Sequence, residues 1–432
     1  MNLDFFVCAV ILLGTFVVGE VTVLFLRGIW QRVLLIGMLA GLLIYSGIGA
    51  AYPEVPRHYL IYYFGFLLAF TLSFGFFCFI FAPLDRRLGP LLQRIFVNVE
   101  SGRIWFLIIW VYILLNTAPL IYPEIKLGRL FAPPSPDLTT AWRIRWESQG
   151  VDAISKLLEY GRVLLTPFFY ISLFRYRHRL TKLVFLLSLV LYFQYVTNGY
   201  IGRGAVLIEL ATVWISLWID RTKDRRFLIA VALAGLPLIL AGSYYYGVVR
   251  IGGAPEGVSF GEAIIRMIEN EFSFVRNVGA PVINAELRVN LTSYAKWLFT
   301  LPLPKVLTGE IEGARINYEI AEFILGIPRG QSGWFVPLGG LVAESVYIFG
   351  RYFFWLHAIF IALLAAFLIR LMERTQQLLF LKGFVVVTFS YHLNRGGISG
   401  PMGVFVNHFL LFYLFIFAYI SGLFKVGQIT RQ

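Results

Sequence analysis

The sequence has few charged residues and almost no cysteine. Asp, Glu, Lys and Arg make up 14% of its 432 residues, whereas about 25% is usual in a soluble domain. Hydrophobic residues make up 59%, and the mean hydropathy is +0.76. A chain with so little polar surface is not an ordinary soluble domain, so lipid must cover much of it.

Cysteine is limited to Cys8 and Cys78, and both fall in apolar stretches. They provide neither a disulfide framework nor a CxxC site. The formal charge of +13 comes without a basic tract or a nucleic-acid-binding signature, so we expect no nucleic acid partner. The shorter alternating strands of a closed β-barrel are also missing, which excludes that class of membrane protein.

Long apolar runs are what the sequence does have. Phe5 to Leu26, Tyr59 to Phe81 and Phe405 to Leu423 each reach the roughly 20 residues that cross the hydrocarbon core as a helix. We therefore predict an all-α, polytopic integral membrane protein with about eleven transmembrane helices. Breaks at charged residues, Pro and Gly place these spans near 4–26, 33–51, 59–81, 103–122, 157–174, 183–197, 204–219, 227–246, 337–369, 378–393 and 402–424.

The distribution of Lys and Arg predicts the orientation. Nineteen of them fall in alternate loops, and the short loops of opposite parity hold only Arg57, Arg203 and Arg395. The positive-inside rule assigns the richer loops to the cytoplasm, which puts the N-terminus outside and the C-terminus in the cytoplasm. The nineteen residues are Arg27, Arg32, Arg86, Arg87, Arg94, Arg103, Arg175, Arg177, Arg179, Lys182, Arg221, Lys223, Arg225, Arg226, Arg370, Arg374, Lys382, Lys425 and Arg431.

Two long segments, 123–156 and 248–336, then fall on the outer side. The first carries Arg143 and Arg145 between tryptophans, which predicts an interfacial helix that binds lipid headgroups or an anionic substrate. The second alternates polar helical stretches with prolines, which predicts a large helical cap.

These segments divide the chain into three parts. Residues 1–247 carry transmembrane helices 1–8, residues 248–336 form the cap, and residues 337–432 carry helices 9–11. The predicted ninth span, 337–369, is too long for one crossing at about 1.5 Å of rise per residue. We expect it to protrude from the bilayer or to break near Gly350.

Arginines at the predicted outer boundary are the most informative anomaly, because the positive-inside bias makes each one unexpected there. Arg203 lies between Gly202 and Gly204 at the start of a span, where a helix N-terminus adds positive potential for an anion. Arg395 ends another hairpin at the same face, and two guanidiniums can bind one pyrophosphate bidentately. Arg276 of the cap is a third candidate. For Arg203 and Arg395 the alternative is contact with a lipid phosphate or capping of a carbonyl, and for Arg276 it is an ordinary ion pair within the cap.

Two residues are candidate bases. Glu344 lies in an apolar stretch, where an ionised carboxylate is costly without a partner. His392 lies within one turn of Arg395 and can act as a base or donate to phosphate, although a structural hydrogen bond is the alternative. Glu209, deeper in its span, is interpreted as a polar tie within or between helices.

Metal chemistry has little support in the sequence. The six Asp residues include no DxD pair, and no His/Cys cluster falls on the predicted outer side. We therefore expect no bound metal and no cofactor. The predicted cytoplasmic loops are short and basic, and no active site is expected in them.

A family resemblance follows from short motifs. The run PLGG at 337–340, then Glu344, then YIFG at 347–350, placed late in the chain after a long external loop, resembles the Wzy-type O-antigen and oligosaccharide repeat-unit polymerases. The GRG run at 202–204 is similar too. The overall plan of many spans with a late outer loop also resembles that family and the related O-antigen ligase.

The resemblance implies a GT-C-like glycosyltransferase in the bacterial inner membrane, with its active site facing the periplasm. Its implied partners are undecaprenyl-pyrophosphate-linked donor and acceptor oligosaccharides, membrane lipids and a chain-length regulator protein, and it implies no metal or cofactor. Glu344, His392, Arg203 and Arg395 take catalytic roles in this reading. The substrate-binding set is Arg143, Arg145, Arg203, Arg276 and Arg395.

Two alternatives remain open at this point. An O-antigen ligase or another lipid-linked sugar transferase has the same general plan, although the ligase-like relatives use a loop histidine and residues 248–336 contain none. A transporter of a polar or lipid-linked substrate predicts paired broken helices and a polar site near the bilayer midplane.

Overall fold

A computed structural model describes residues 3–117, 153–198, 203–250, 257–285, 288–301, 316–328, 338–396 and 402–421. Every regular element in these residues is helical, as the all-α prediction requires. Arg143 and Arg145, with the rest of the predicted interfacial helix up to residue 152, lie outside the described residues.

The helices of the N-terminal part begin and end close to the predicted spans. The first is capped by Asp4, whose side chain accepts a hydrogen bond from the Val7 N–H at 3.1 Å, as a helix N-cap should. The helices are α1 (Phe5–Phe25), α2 (Ile29–Leu42, continued by a π-helical turn Leu43–Gly47 and a 3-10 turn Ile48–Ala51), α3 (Tyr59–Ile80), α4 (Ala82–Ile95), α5 (Arg103–Thr117), α6 (Ala153–Leu173), α7 (Leu180–Asn198), α8 (Arg203–Asp220) and α9 (Arg225–Arg250).

The second part contains the cap helices and the last apolar helices. Ser259 caps the first cap helix by accepting from the Glu262 N–H at 3.2 Å. The helices are α10 (Phe260–Phe272, followed by a π-helical turn Val275–Gly279), α11 (Ala280–Asn284), α12 (Leu291–Thr300), α13 (Ile316–Leu325), α14 (Gly340–Phe353), α15 (Trp355–Met372), α16 (Leu379–Val387, continued by a π-helical turn Thr388–Leu393 and the helical turn Asn394–Gly396) and α17 (Leu410–Ile420, preceded by a π-helical turn Val404–His408).

The chain is a membrane protein by the length and composition of its helices. Among the described residues, five helices are long and apolar enough to cross a bilayer, and a sixth crossing results if the pair Ala82–Val99 and Arg103–Asn116, bent by 79°, counts as one span. Leu180–Gln194 and Val404–Ile420 are shorter apolar helices. The five are Phe5–Phe25, Ile29–Ala51, Tyr59–Ile80, Thr222–Tyr245 and Trp355–Met372.

The long segment near Gly350 is two helices. Gly350 has φ of 76° and ψ of 174°, a conformation that favours glycine because it lacks a Cβ atom. The chain therefore kinks at Gly350, within α14, and α15, which begins at Trp355, is a candidate span by itself. α14 is buried along nearly its whole length, since it packs against α3, α15 and the cap helices α11 and α12.

The helix that leads to Arg395 is held by close backbone packing. α2 and the π-helical turn Thr388–Leu393 lie against each other, and Asn394 donates to the Met38 carbonyl at 3.4 Å and the Phe389 carbonyl at 3.0 Å. Small residues allow such approach between apolar helices. A Cβ atom at Gly41 would overlap the Ser390 carbonyl oxygen and lie 2.6 Å from Asn394 Nδ2.

Gly41→Ala is therefore expected to destabilise the fold by about 3 kcal/mol, because overpacking forces the backbone of the neighbouring helix to shift. The measurement is the thermal unfolding midpoint of the detergent-solubilised protein. Gly235→Ala in α9 is the matched control, since a Cβ there meets nothing within 4 Å and Ala favours helix. An unfolding midpoint for Gly41→Ala at or above that of Gly235→Ala would show that the two helices are not in this contact.

Candidate functional site

Arg395 lies in the helical turn after α16, and its guanidinium is held by groups from two parts of the chain. Its Nε donates to Glu271 Oε2 at 3.2 Å and its Nη2 donates to Glu271 Oε1 at 3.5 Å. The two side chains are 16% and 12% exposed. A largely buried, two-point pair of this kind fixes the guanidinium plane, so the cap is anchored to the end of α16.

Aromatic rings enclose the same guanidinium. Arg395 lies 5.5 Å from the Phe274 ring centroid and 5.8 Å from that of Tyr391, and its Nη1 donates to the Tyr391 hydroxyl at 3.3 Å. Tyr45 packs against both Tyr391 and Phe274, with ring centroids 6.1 and 6.2 Å apart. Aromatic rings combine apolar faces with polar edges, so they can pack against a sugar as well as against the guanidinium. A site with such rings and a guanidinium therefore suits both sugars and phosphates.

The start of α8 meets this site at Tyr391. A Cβ atom on Gly204 would lie 3.7 Å from both Cε1 and Oη of Tyr391, and α8 contacts the π-helical turn Thr388–Leu393. α8 begins at Arg203, so the two arginines singled out in the sequence belong to neighbouring backbone segments. The side chain of Arg203 lies outside the described residues. We call the group Arg395, Tyr391, Glu271, Phe274 and Gly204 the arginine site.

Arg276 is close in sequence to this site but has other contacts. Its guanidinium lies 4.6 Å from the centroid of the Tyr52 ring, and its Nε donates to Asn277 Oδ1 at 3.2 Å. Burial raises the pKa of Tyr52, and the positive charge of Arg276 opposes that effect. Arg276 therefore joins the cap to the loop that follows α2.

Glu344 faces the cap. It is 2% exposed in α14, and its charge acts on Tyr294 of α12. Burial raises the pKa of Tyr294, and the carboxylate of Glu344 raises it further. The carboxylate that hydrogen-bonds to Arg395 is Glu271, which was not among the residues selected from the sequence.

His392 precedes Arg395 by three residues. It sits in the π-helical turn Thr388–Leu393, and such turns are frequent at functional sites. The next π-helical turn, Val404–His408, ends at His408.

No known protein family, curated protein or solved structure matches this chain.

In the part of the chain that the structure describes, no three His, Cys, Asp or Glu side chains are grouped so that they could hold a metal ion. The arginine site combines a guanidinium paired with Glu271, a tyrosine hydroxyl and an aromatic wall. Such a site can bind an anionic group and stabilise negative charge that develops on it.

The predicted cytoplasmic end holds a group of charges that the sequence did not suggest, and all of them except Arg374 are largely buried. Asp85 is 4% exposed and accepts from Arg374 Nε at 3.1 Å, with Arg370 Nη1 3.6 Å away. Lys382 is 3% exposed, and its Nζ donates to the Glu373 carbonyl at 3.3 Å. We call these five residues the inner charge cluster. Only the packing of α4 and α15 near α16 brings them together.

Glu209 of α8 forms an interhelical polar contact, as one of the two sequence interpretations proposed. It is 6% exposed, and its Oε1 accepts a hydrogen bond from Gln194 Nε2 of α7 at 3.1 Å. Its Oε2 is buried without a hydrogen-bond partner among the described residues.

Proposed function

We propose that this protein is a polysaccharide polymerase that acts on polyprenyl-pyrophosphate-linked oligosaccharide repeat units. The growing glycan is transferred from undecaprenyl pyrophosphate to the non-reducing end of a lipid-linked repeat unit. The observation that carries the proposal is the meeting of Arg395 with the start of α8, where Arg203 lies, at Tyr391. The resemblance of the motifs around Arg203 and Glu344 to Wzy-type polymerases supports it.

The chemistry requires positive charge at the leaving group. The acceptor hydroxyl oxygen forms the new glycosidic bond to the anomeric carbon of the donor glycan. The bond from that carbon to the pyrophosphate oxygen breaks, and its electron pair stays on that oxygen. Arg395 and Arg203 stabilise that charge, because guanidinium donors bind phosphate bidentately. Rings such as Tyr45 and Phe274 suit the apolar faces of sugar residues.

The proposed setting is the bacterial inner membrane with the arginine site facing the periplasm. About eleven spans, an outer N-terminus and a cytoplasmic C-terminus follow from the apolar runs and the distribution of Lys and Arg. The cap helix α10 then lies beside the site, and Glu271 of α10 pairs with Arg395. Donor and acceptor enter from the bilayer, since both carry a polyprenyl chain.

The first test uses the purified full chain in detergent or nanodiscs. The probe is lipid-linked repeat units extracted from a strain in which the gene is deleted, and the product is read as a ladder on a gel. A ladder that forms with and without EDTA is the expected result, since the arginines supply the positive charge. A product attached to lipid A would instead indicate a ligase, and loss of the ladder in EDTA would contradict the metal-independent mechanism.

A transporter is the second candidate, because Glu209 and Gln194 form a polar contact in the interior of two apolar helices. Ionisable residues at such depth often line a substrate path. Vesicles that contain the protein and labelled lipid-linked repeat units separate the two functions. Movement of the label between leaflets without any ladder would favour the transporter and overturn the polymerase.

A further inference from the structure

A second polar group lies inward from the arginine site. Glu209 of α8 contacts Gln194 of α7, and the charge of Glu209 interacts with that of Arg162 in α6. Arg162 Nη1 donates to Asn116 Oδ1 of α5 at 3.3 Å. His408, from the turn before α17, also lies within the field of Arg162. Side chains from five segments thus converge, and we call them the Glu209 cluster.

Several polar atoms in and beside the cluster lack a hydrogen-bond partner among the described residues. Glu209 Oε2, His408 Nδ1 and the neighbouring Asn407 Oδ1 are buried and have no partner among the described residues. An incompletely satisfied polar network costs free energy relative to an apolar core, and buried ion pairs are weak stabilisers in any case. Stability alone therefore does not account for these residues, whereas binding of a hydroxyl-rich molecule does.

The cluster borders accessible surface. The side chains of Arg162, Gln194 and His408 are only partly buried, although Glu209 and Asn116 are buried. A ligand that enters beside the partly buried side chains therefore reaches Glu209 after only a short displacement of those side chains. A sugar hydroxyl suits this place because it donates one hydrogen bond and accepts others.

The cluster is also continuous with the arginine site. α8 carries both Gly204 of the arginine site and Glu209, and the π-helical turn Val404–His408 packs against α6, which carries Arg162. Along α8, Glu209 follows Arg203 by about 9 Å at a rise of 1.5 Å per residue, and the two sites therefore lie at different depths of one assembly. That separation is comparable to a sugar ring joined to one phosphate.

We infer that the Glu209 cluster binds the acceptor sugar and that Glu209 is the catalytic base. The inference rests on the proposed polymerase function and replaces Glu344 and His392 in that role. The acceptor hydroxyl donates to Glu209 Oε2, and Arg162 donates to the sugar.

The acceptor hydroxyl oxygen forms a bond to the anomeric carbon of the donor glycan while the bond from that carbon to the pyrophosphate oxygen breaks. The electron pair of the broken bond stays on the pyrophosphate, which the arginine site binds, and the hydroxyl proton moves to Glu209 Oε2. No oxidant, reductant or metal takes part.

The decisive variant is Glu209→Gln, which keeps the hydrogen bond to Gln194 possible but cannot accept the proton. In the ladder assay its kcat is expected to fall by about 100-fold or more, the range typical for loss of a general base, while KM for the extracted repeat units changes less than threefold. Glu209→Asp keeps a carboxylate in a shorter side chain and is expected to retain more activity than Glu209→Gln. Glu262→Gln, at an exposed cap position, is the matched control and should match wild type.

The outcomes separate the two proposals. A full ladder from Glu209→Gln together with loss of the ladder in Arg395→Lys would overturn the role of Glu209 and leave the polymerase standing. No ladder from wild type would overturn both. If Glu209→Gln does not fold, Glu209→Asp is the test. This change moves the carboxylate by one methylene, so kcat must fall at least tenfold if Glu209 is the base. An unchanged kcat would overturn the inference.

Discussion

Arg395→Lys is expected to lower polymer formation by about 100-fold or more while the protein remains folded. Lysine keeps the charge that pairs with Glu271 but loses the planar fork, so it cannot bind a pyrophosphate through two parallel donors. Loss of one donor that stabilises a developing oxyanion costs about 100-fold to 1000-fold in rate. The measurement is the rate of ladder formation with extracted lipid-linked repeat units, alongside the thermal unfolding midpoint.

The choice of lysine matters because of the neighbouring carboxylate. Arg395→Ala would leave Glu271, which is 12% exposed at its side chain, as an unpaired charge. Removing one partner of a buried ion pair typically destabilises a fold by about 3–5 kcal/mol, so loss of activity in that variant would not distinguish misfolding from lost substrate binding. Arg395→Lys avoids this ambiguity.

Arg57→Lys is the matched control for Arg395→Lys. Arg57 is a second arginine in a short loop of the predicted outer side, and it pairs with Asp4 at 2.6 Å with 54% of its side chain exposed. An exposed pair contributes little, so this variant should keep wild-type activity. Equal, full activity in both variants would show that bidentate recognition at Arg395 is wrong.

The helices were the most predictable part of the fold. Apolar runs such as Phe5 to Leu26 and Tyr59 to Phe81 lie within a few residues of α1 and α3, because the need to satisfy backbone hydrogen bonds in lipid leaves few options other than helix. Excess length likewise pointed to a break near Gly350, and the positive φ there provides it. The π-helical turns could not be predicted in this way, since apolar composition does not distinguish a π-helical turn from an α-helical one.

The candidate site was predictable only in part. Arg395 stood out because a cation at the predicted outer boundary conflicts with the general charge bias. Its partner Glu271 did not stand out, because it is one of several acids on a polar cap helix. Only the tertiary fold shows which of these acids contacts Arg395. Glu344 stood out for the opposite reason, as a lone carboxylate among apolar residues, yet α14 presents it to Tyr294 of the cap.

The inner charge cluster shows the same limit at the other end of the helices. Lys382 was assigned to a basic cytoplasmic loop from its position in the sequence, whereas it is 3% exposed in α16. The loop rule counts charges and ignores which of them are buried. The neighbours of Lys382 come from α2 and from the turn after α15, so no local pattern reveals them.

Lys382→Met is expected to be the most destabilising charge substitution at this end of the protein. Lys382 Nζ donates to the Glu373 carbonyl at 3.3 Å and lies 5.1 Å from the centroid of the Trp30 ring. Methionine preserves much of the volume but leaves the carboxylates of Glu373 and Asp85 with less compensating charge. The expected loss is about 3–5 kcal/mol, measured from thermal or denaturant unfolding of the detergent-solubilised protein by tryptophan fluorescence.

A second substitution distinguishes lost charge balance from lost packing. Lys382→Met combined with Glu373→Gln removes both members of the interacting pair, so the double variant should recover part of the stability that Lys382→Met loses, as a double-mutant cycle measures. Arg226→Met, at an exposed position near the same predicted face, should unfold like wild type. If Lys382→Met is as stable as Arg226→Met, the lysine does not compensate the buried carboxylates. If the double variant is no more stable than Lys382→Met, packing against Trp30 is what the lysine contributes.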